Sequence, residues 1–258
     1  MIREIVIDGT AIACWVNDGG FVEGRKGIVF VHGSGGDHTA WESQYKALQG
    51  EFNVASVNLP GHGLSGGAGE RDVLHYVEWV KKTIGALGMR GPVLVGHSLG
   101  AAISMNFAIR EGWLLSAIVP VGGGAKMPVN PMILEKIHTD LPFVISIVVK
   151  FAIAKAGRDL VGPYLQEGLA KVNPDAFYGD LFACDRMDIE AEVGSIAVPA
   201  LVICGDEDKM TPPDLSRFIA GKIPGAKLAL IEGAGHYVMR EKPAEFNQVL
   251  ADFVRQLP

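Results

Sequence analysis

Three residues of this chain have side chains suited to nucleophilic attack on a carbonyl carbon: Ser98, His236 and Asp208. A serine hydroxyl is a weak nucleophile until a base takes its proton. An imidazole does this well when a carboxylate fixes its tautomer and stabilises the imidazolium that forms. Ser98 is the centre of Gly96-His97-Ser98-Leu99-Gly100, where the flanking glycines remove Cβ atoms from a turn that brings two backbone segments together. His236 ends Glu232-Gly233-Ala234-Gly235-His236, a glycine-rich turn, and Asp208 lies in Gly205-Asp206-Glu207-Asp208. Each string alone has a plainer reading: Ser98 as a helix cap, and Asp206 as the acid in place of Asp208.

The surrounding elements must deliver these three side chains to one place. Pro92-Val93-Leu94-Val95 reads as a strand running into Ser98, and Ala101 to Ala108 as the helix leaving it. Further strand-like runs occupy residues 28 to 31, 54 to 57, 116 to 121, 200 to 204 and 227 to 231. The last two precede Asp208 and His236. Most runs are apolar throughout instead of alternating, the pattern of a parallel sheet covered on both faces by helices. Ile2 to Ile7 and Ala11 to Val16 flank Asp8-Gly9-Thr10 and read as a hairpin at the sheet edge.

With these motifs assembled, the chain resembles the α/β-hydrolase superfamily from Ile2 to about Val254. The chain order Ser, Asp, His is that of α/β-hydrolases and differs from the chymotrypsin and subtilisin orders. Val29-Phe30-Val31-His32-Gly33-Ser34-Gly35-Gly36 is similar to the family's strand-end His-Gly oxyanion motif, and Asn58-Leu59-Pro60-Gly61-His62-Gly63-Leu64-Ser65 to its next loop. The resemblance implies an α/β-hydrolase fold: a mostly parallel twisted sheet of about eight strands with helices on both faces and a helical lid. It implies Ser98 as nucleophile, His236 as base, Asp208 as acid, and the backbone N–H groups of Ser34 and Leu99 as the oxyanion hole. The family spacing Gly-x-x-Asp-x-x-x-Pro is matched by Gly205, Asp208 and Pro212 and favours Asp208 over Asp206. His32, His62 and His97 are expected to brace loops, as such histidines do in the family. Asn58 departs from the Asp common in relatives, and after the run ending at Val121 the chain offers only Gly122-Gly123-Gly124, with no carboxylate.

Residues 125–195, inserted in a core made of 1–124 and 196–258, are expected to fold as a helical cap. The first half carries Met127, Met132, Ile133, Ile137, Leu141, Phe143, Val144, Ile145, Ile147, Val148 and Phe151, read as a helical segment apolar on nearly every face. Such a helix needs cover on more than one side, and its remaining face is expected to line an acyl pocket above Ser98. None of Lys126, Lys155 and Arg158 is marked as a carboxylate clamp. The implied activity is hydrolysis of carboxylic esters with a small or medium acyl or aryl part, through an acyl-enzyme. The oxyanion motif is also similar to that of carbon-carbon bond hydrolases of aromatic degradation, although Leu99-Gly100-Ala101 stands where that group usually has Met-Gly-Gly. A hydrolase-like small-molecule receptor with slow turnover is the reading of another class.

The net charge of −6 and the lack of a basic stripe argue against a nucleic-acid partner. Cys14, Cys184 and Cys204 are scattered without C-x-x-C spacing and read as thiols in a reducing compartment. The first residues run straight into a strand, so a cytoplasmic location is expected. No stretch is long and apolar enough for a membrane span. The glycine-rich stretches lack a phosphate-loop lysine and the histidines lack metal-ligand spacing, so neither cofactor nor metal is expected. The sequence specifies no oligomeric state.

Overall fold

The computed structural model describes all 258 residues. Eight strands form one sheet: β1 (Ile2–Ile7), β2 (Thr10–Val16), β3 (Gly27–Val31), β4 (Asn53–Val57), β5 (Val93–His97), β6 (Ala117–Val121), β7 (Leu201–Gly205) and β8 (Lys227–Ile231). Their spatial order is β1-β2-β4-β3-β5-β6-β7-β8. β1 and β2 make the expected edge hairpin, turned through Asp8 and Gly9, whose φ values of 50° and 82° suit the right-handed twist of the flanking strands. β2 meets β4 antiparallel, and every pairing from there to β8 is parallel.

Ten helices accompany the sheet: α1 (Glu42–Leu48), α2 (Val73–Ala86), α3 (Leu99–Glu111), α4 (Pro131–Lys136), α5 (Leu141–Ala152), α6 (Arg158–Leu169), α7 (Pro174–Arg186), α8 (Pro213–Lys222), α9 (Val238–Glu241) and α10 (Pro243–Gln256). Successive strand residues face opposite ways, so β3 sends Ile28 and Phe30 into one apolar core and Val29 and Val31 into the other. α2, α3 and α8 cover the second core, while α1 and α10 cover the first. Cover on both faces explains why the inner strands β3, β6 and β7 are almost wholly apolar, while the edge strands β1 and β8 carry exposed Arg3, Glu4 and Lys227.

Between β6 and β7 lie α4 to α7. The apolar run from Met127 to Phe151 is therefore not the one helical segment expected but two helices, α4 and α5, joined by a turn. The break is local chemistry that hydrophobicity does not register. Asn130 accepts from the Met132 N–H at 3.0 Å and Asp140 from the Phe143 N–H at 3.3 Å, each starting a new helix. Pro131 and Pro142 occupy the first turns, where a missing N–H costs nothing. Asn173 and Pro174 repeat the device at α7. α5 buries Val144 and Ile145 in the same apolar core as Val161 and Leu165 of α6.

Two glycines allow the junction of β5 and α3 to close. A Cβ on Gly96 would lie 1.9 Å from the Gly100 carbonyl oxygen, and one on Gly100 would lie 2.4 Å from the Val31 carbonyl oxygen. Both obstacles are backbone and cannot rotate away. Gly100→Ala should therefore lower stability by about 3 kcal/mol, whereas Gly85→Ala, whose added methyl meets nothing within 4 Å, should not destabilise. Urea unfolding of the two variants checks the contrast.

Candidate active site

Ser98 follows the last residue of β5 and has φ 54° and ψ −111°, the only non-glycine residue besides Asp8 at positive φ. Its N–H donates to the Val121 carbonyl at 2.9 Å, and its own carbonyl accepts from Ala101 and Ala102. The strained backbone is thus anchored on both sides, and the hydroxyl caps no helix N–H. The helix-cap reading fails for this reason.

β8 leads into the turn that carries His236, and β7 into the loop that carries Asp208. His236 Nδ1 lies 2.8 Å from Asp208 Oδ2, with both side chains buried. A carboxylate can only accept, so Nδ1 donates and Nε2 keeps its lone pair. Asp208 Oδ1 accepts from the N–H groups of Met210 and Thr211, and Oδ2 from the Thr211 hydroxyl at 2.8 Å. Burial alone would raise the Asp208 pKa, but the His236 charge and these hydrogen bonds outweigh it and hold the carboxyl below its ordinary range. Asp206 instead accepts from the Gly233 N–H at 2.7 Å on the exposed side of the loop. Gly122, at φ 52°, lies against the pair: a Cβ there would stand 3.2 Å from His236 Nδ1.

Two supporting residues escaped the reading of the sequence. Thr211 orients Asp208 and also lies 3.1 Å from His236 Nδ1. Its position three residues after Asp208 was a usable signal, since such hydroxyls often bond back to a nearby group. Glu241 had no signal at all. Its Oε2 accepts from the Gly235 N–H at 3.0 Å and from the Ala154 N–H at 2.9 Å, tying the His236 turn to the end of α5.

The three motif histidines do hold loops. His97 Nε2 donates to the His236 carbonyl at 2.9 Å, and burial followed by the His236 charge keeps its pKa well below the ordinary value. His32 Nδ1 donates to the Gly33 carbonyl at 2.8 Å while Nε2 accepts from the Leu59 N–H at 3.1 Å. That carbonyl also accepts from the Gly36 N–H. In a planar trans peptide the Ser34 N–H points away from both of these donors, and it makes no hydrogen bond within the chain. Leu99 is the first residue of α3, so its N–H has no intrahelical acceptor either. Asn58 accepts from the His38 N–H at 2.7 Å and from the His38 ring, which a neutral amide oxygen does without a charge.

Ser34, Ser98 and His236 open on one cavity of about 440 Å³. Met127, Met132 and Ile133 before and on α4, Ile147, Val148 and Phe151 on α5, and Phe177 and Leu181 on α7 supply its apolar wall. Lys209, at the rim, is its only lysine or arginine. Lys126 pairs instead with Asp188 at 2.7 Å. Two larger hollows, of about 510 and 590 Å³, are open surface grooves that touch none of the site residues. The three cysteines are unpaired and buried, and burial pushes each thiol up to about 12. No helix is long and apolar enough to cross a membrane.

The sequence pattern of the alpha/beta hydrolase family matches residues 28–249. A 2-hydroxy-6-oxononadienedioate/2-hydroxy-6-oxononatrienedioate hydrolase of Paraburkholderia phymatum is 27% identical over 98% of this chain and 94% of its own length. Among solved structures, a thermophilic esterase is 31% identical with a TM-score of 0.88, covering 99% of this chain and 98% of its own. The enol-lactonase of Burkholderia xenovorans superposes with a TM-score of 0.91 at 21% identity, over 98% of this chain and all of its own.

The buried histidines set an acid limit on the fold. Burial, then the charge of His62, lowers the His32 pKa from its ordinary 6.5 to about 4. Between those values the unfolded chain binds a proton that the folded chain refuses, so this stability is present above pH 6.5 and lost as pH falls to 4, about 3 kcal/mol in all. Asp208, with its pKa depressed, surrenders its share only below its unfolded value of 3.8. His62, with its pKa raised, gives its share in full below pH 6.5, so neither reverses the trend. Urea unfolding should show stability declining between pH 6.5 and 4; His97, also depressed by burial, adds to that decline, so His32→Gln should make it shallower without abolishing it, while lowering stability at pH 7.

Proposed function

Because the chain belongs to the alpha/beta hydrolase family, we propose that it hydrolyses carboxylic esters with a small to medium apolar acyl or aryl part, through an acyl-enzyme on Ser98. The observation that carries this reading is the strained Ser98 sharing an apolar cavity with the buried His236–Asp208 pair. Ser98 gives its proton to His236 Nε2 as its oxygen attacks the ester carbonyl. Asp208 stabilises the imidazolium, and the N–H groups of Ser34 and Leu99 receive the oxyanion. The imidazolium then protonates the departing alcohol. Water, deprotonated by the same histidine, releases the acid and restores the serine. One such N–H donor is worth about 3 kcal/mol in the transition state, which is why a rigid Ser34 loop matters.

Residues 125–195 act as the cap in this reading, and residues 1–124 with 196–258 as the core. The apolar wall selects the acyl or aryl part. The 31% identical thermophilic esterase supports ester chemistry. The three unpaired thiols fit a cytoplasmic setting. A second reading, hydrolysis of a carbon-carbon bond next to a ketone, draws on the 27% identical 2-hydroxy-6-oxononadienedioate hydrolase and on the Ser34 motif. That relative's named substrate carries two carboxylates, whereas this cavity offers Lys209 as its single lysine or arginine.

Stopped-flow hydrolysis of p-nitrophenyl esters from acetate to decanoate tests the proposal. The expected result is a burst of about one nitrophenolate per chain. Ser98→Ala should abolish it, and Asp208→Asn should lower kcat by about 10⁴-fold while the fold is kept. No burst, together with Ser98-dependent cleavage of a 2-hydroxy-6-oxo-dienoate, would replace the ester reading with the second one.

A further inference from the structure

Asp180 lies on α7, within the insertion, and is completely buried. Its Oδ2 accepts from the Gly35 N–H at 2.8 Å and from His62 Nε2 at 2.8 Å, and its Oδ1 accepts from the Tyr76 hydroxyl at 2.5 Å. His62 Nδ1 donates to the Pro60 carbonyl at 3.0 Å, so both ring nitrogens donate and the imidazole is cationic. Burial pulls its pKa down, but the Asp180 charge and these bonds more than offset that and leave it raised. A charged pair buried between the insertion and the core is costly unless every lone pair and proton is used, and here each group is engaged.

Gly35 is the residue after Ser34. Hydrogen bonds to the Gly33 carbonyl fix the peptide plane that carries the Ser34 N–H, and Asp180 fixes the next plane, between Ser34 and Gly35. With both planes held, Ser34 has no free backbone rotation, although Gly33, Gly35 and Gly36 give the loop no stiffness of its own. Phe177, Asp180, Leu181 and Cys184 recur at helical spacing on one face of α7, and all but Asp180 line the cavity. One helix face therefore builds both the substrate wall and the clamp on the loop.

We propose that Asp180 is a positioning residue for the oxyanion donor Ser34, so that the insertion, and not the core alone, sets the geometry that stabilises the transition state. The proposal rests on the reading of the Ser34 N–H as an oxyanion donor.

The test compares Asp180→Ala, which deletes the acceptor of the Gly35 N–H that the amide oxygen of an asparagine would replace, with Tyr76→Phe, which removes a partner of Asp180 but leaves the Gly35 bond. Each is assayed with an oxygen ester and the matching thionoester, whose sulfur accepts hydrogen bonds poorly and so gains little from oxyanion donors. Asp180→Ala should lower kcat/KM for the ester by about 10²-fold, with KM nearly unchanged, and reduce the ester-to-thionoester preference by about tenfold. Tyr76→Phe should keep that preference while its Tm falls. An unchanged preference in folded Asp180→Ala, or an equal loss in Tyr76→Phe, overturns the proposal. If the single variant unfolds, His62→Leu/Asp180→Leu removes both charges and the acceptor together and takes its place. Hydrogen exchange decides the matter independently of any substrate. The amides of Gly35 and Gly36 should exchange at least about tenfold faster in Asp180→Ala, and unchanged exchange overturns the clamp. A wild type without ester turnover would refute the ester reading and leave this exchange result standing.

Discussion

Ser98 is held at a backbone conformation that costs a non-glycine residue on the order of 1–3 kcal/mol, and the rest of the molecule is arranged so that it cannot relax. Its N–H is bonded to the end of β6 and its carbonyl to the first turn of α3. Gly96 and Gly100 let β5, α3 and the end of β3 approach to distances that no side chain would permit. β5 and β3 pair directly with each other, and β6 pairs with β5 on its far side. The strain at one serine is therefore borne by the centre of an eight-stranded sheet with an apolar core on each face. A turn on a lone hairpin would have no such support.

The loops beyond the strand ends have no regular structure to stiffen them, and buried polar side chains do that work. His32 fixes the loop after β3, His97 the turn after β8, and Thr211 with two backbone N–H groups the carboxylate after β7. Burial lowers the pKa of His32 and His97, so both are neutral hydrogen-bonding groups. The insertion joins the same scheme at two points. The end of α5 accepts the His236 N–H and shares Glu241 with the turn before it, and α7 holds Gly35 through Asp180. The helices that wall the cavity are thus bonded to both the loop of His236 and the loop of Ser34.

Much of this was legible in the chain. The strands could be read within a residue or two, because a strand buried on both faces must be apolar at every position, and such a run is visible without neighbours. The single apolar helix expected from Met127 to Phe151 was not found, since Asp140 and Pro142 start a fresh helix inside it. Apolar periodicity reports which face is buried and says little about where a helix begins. The cavity-facing side of α5 was nonetheless expected, because its apolar excess exceeded what one packed face could absorb.

The sequence by itself determined the strand-turn-helix at Ser98, the glycine-bearing turn of His236 and the family of the fold, because each rests on residues within a few positions of one another. Only the tertiary structure decided the rest. Asp206 and Asp208 are two residues apart in one loop, and their directions are set by Gly233 on one side and Thr211 with His236 on the other. Asp180 is further still from any local signal: its partners Gly35, His62 and Tyr76 lie 145, 118 and 104 positions away. A buried carboxylate gains its meaning from the donors that surround it, and those donors are gathered by packing across the chain, which no spacing between neighbouring residues encodes.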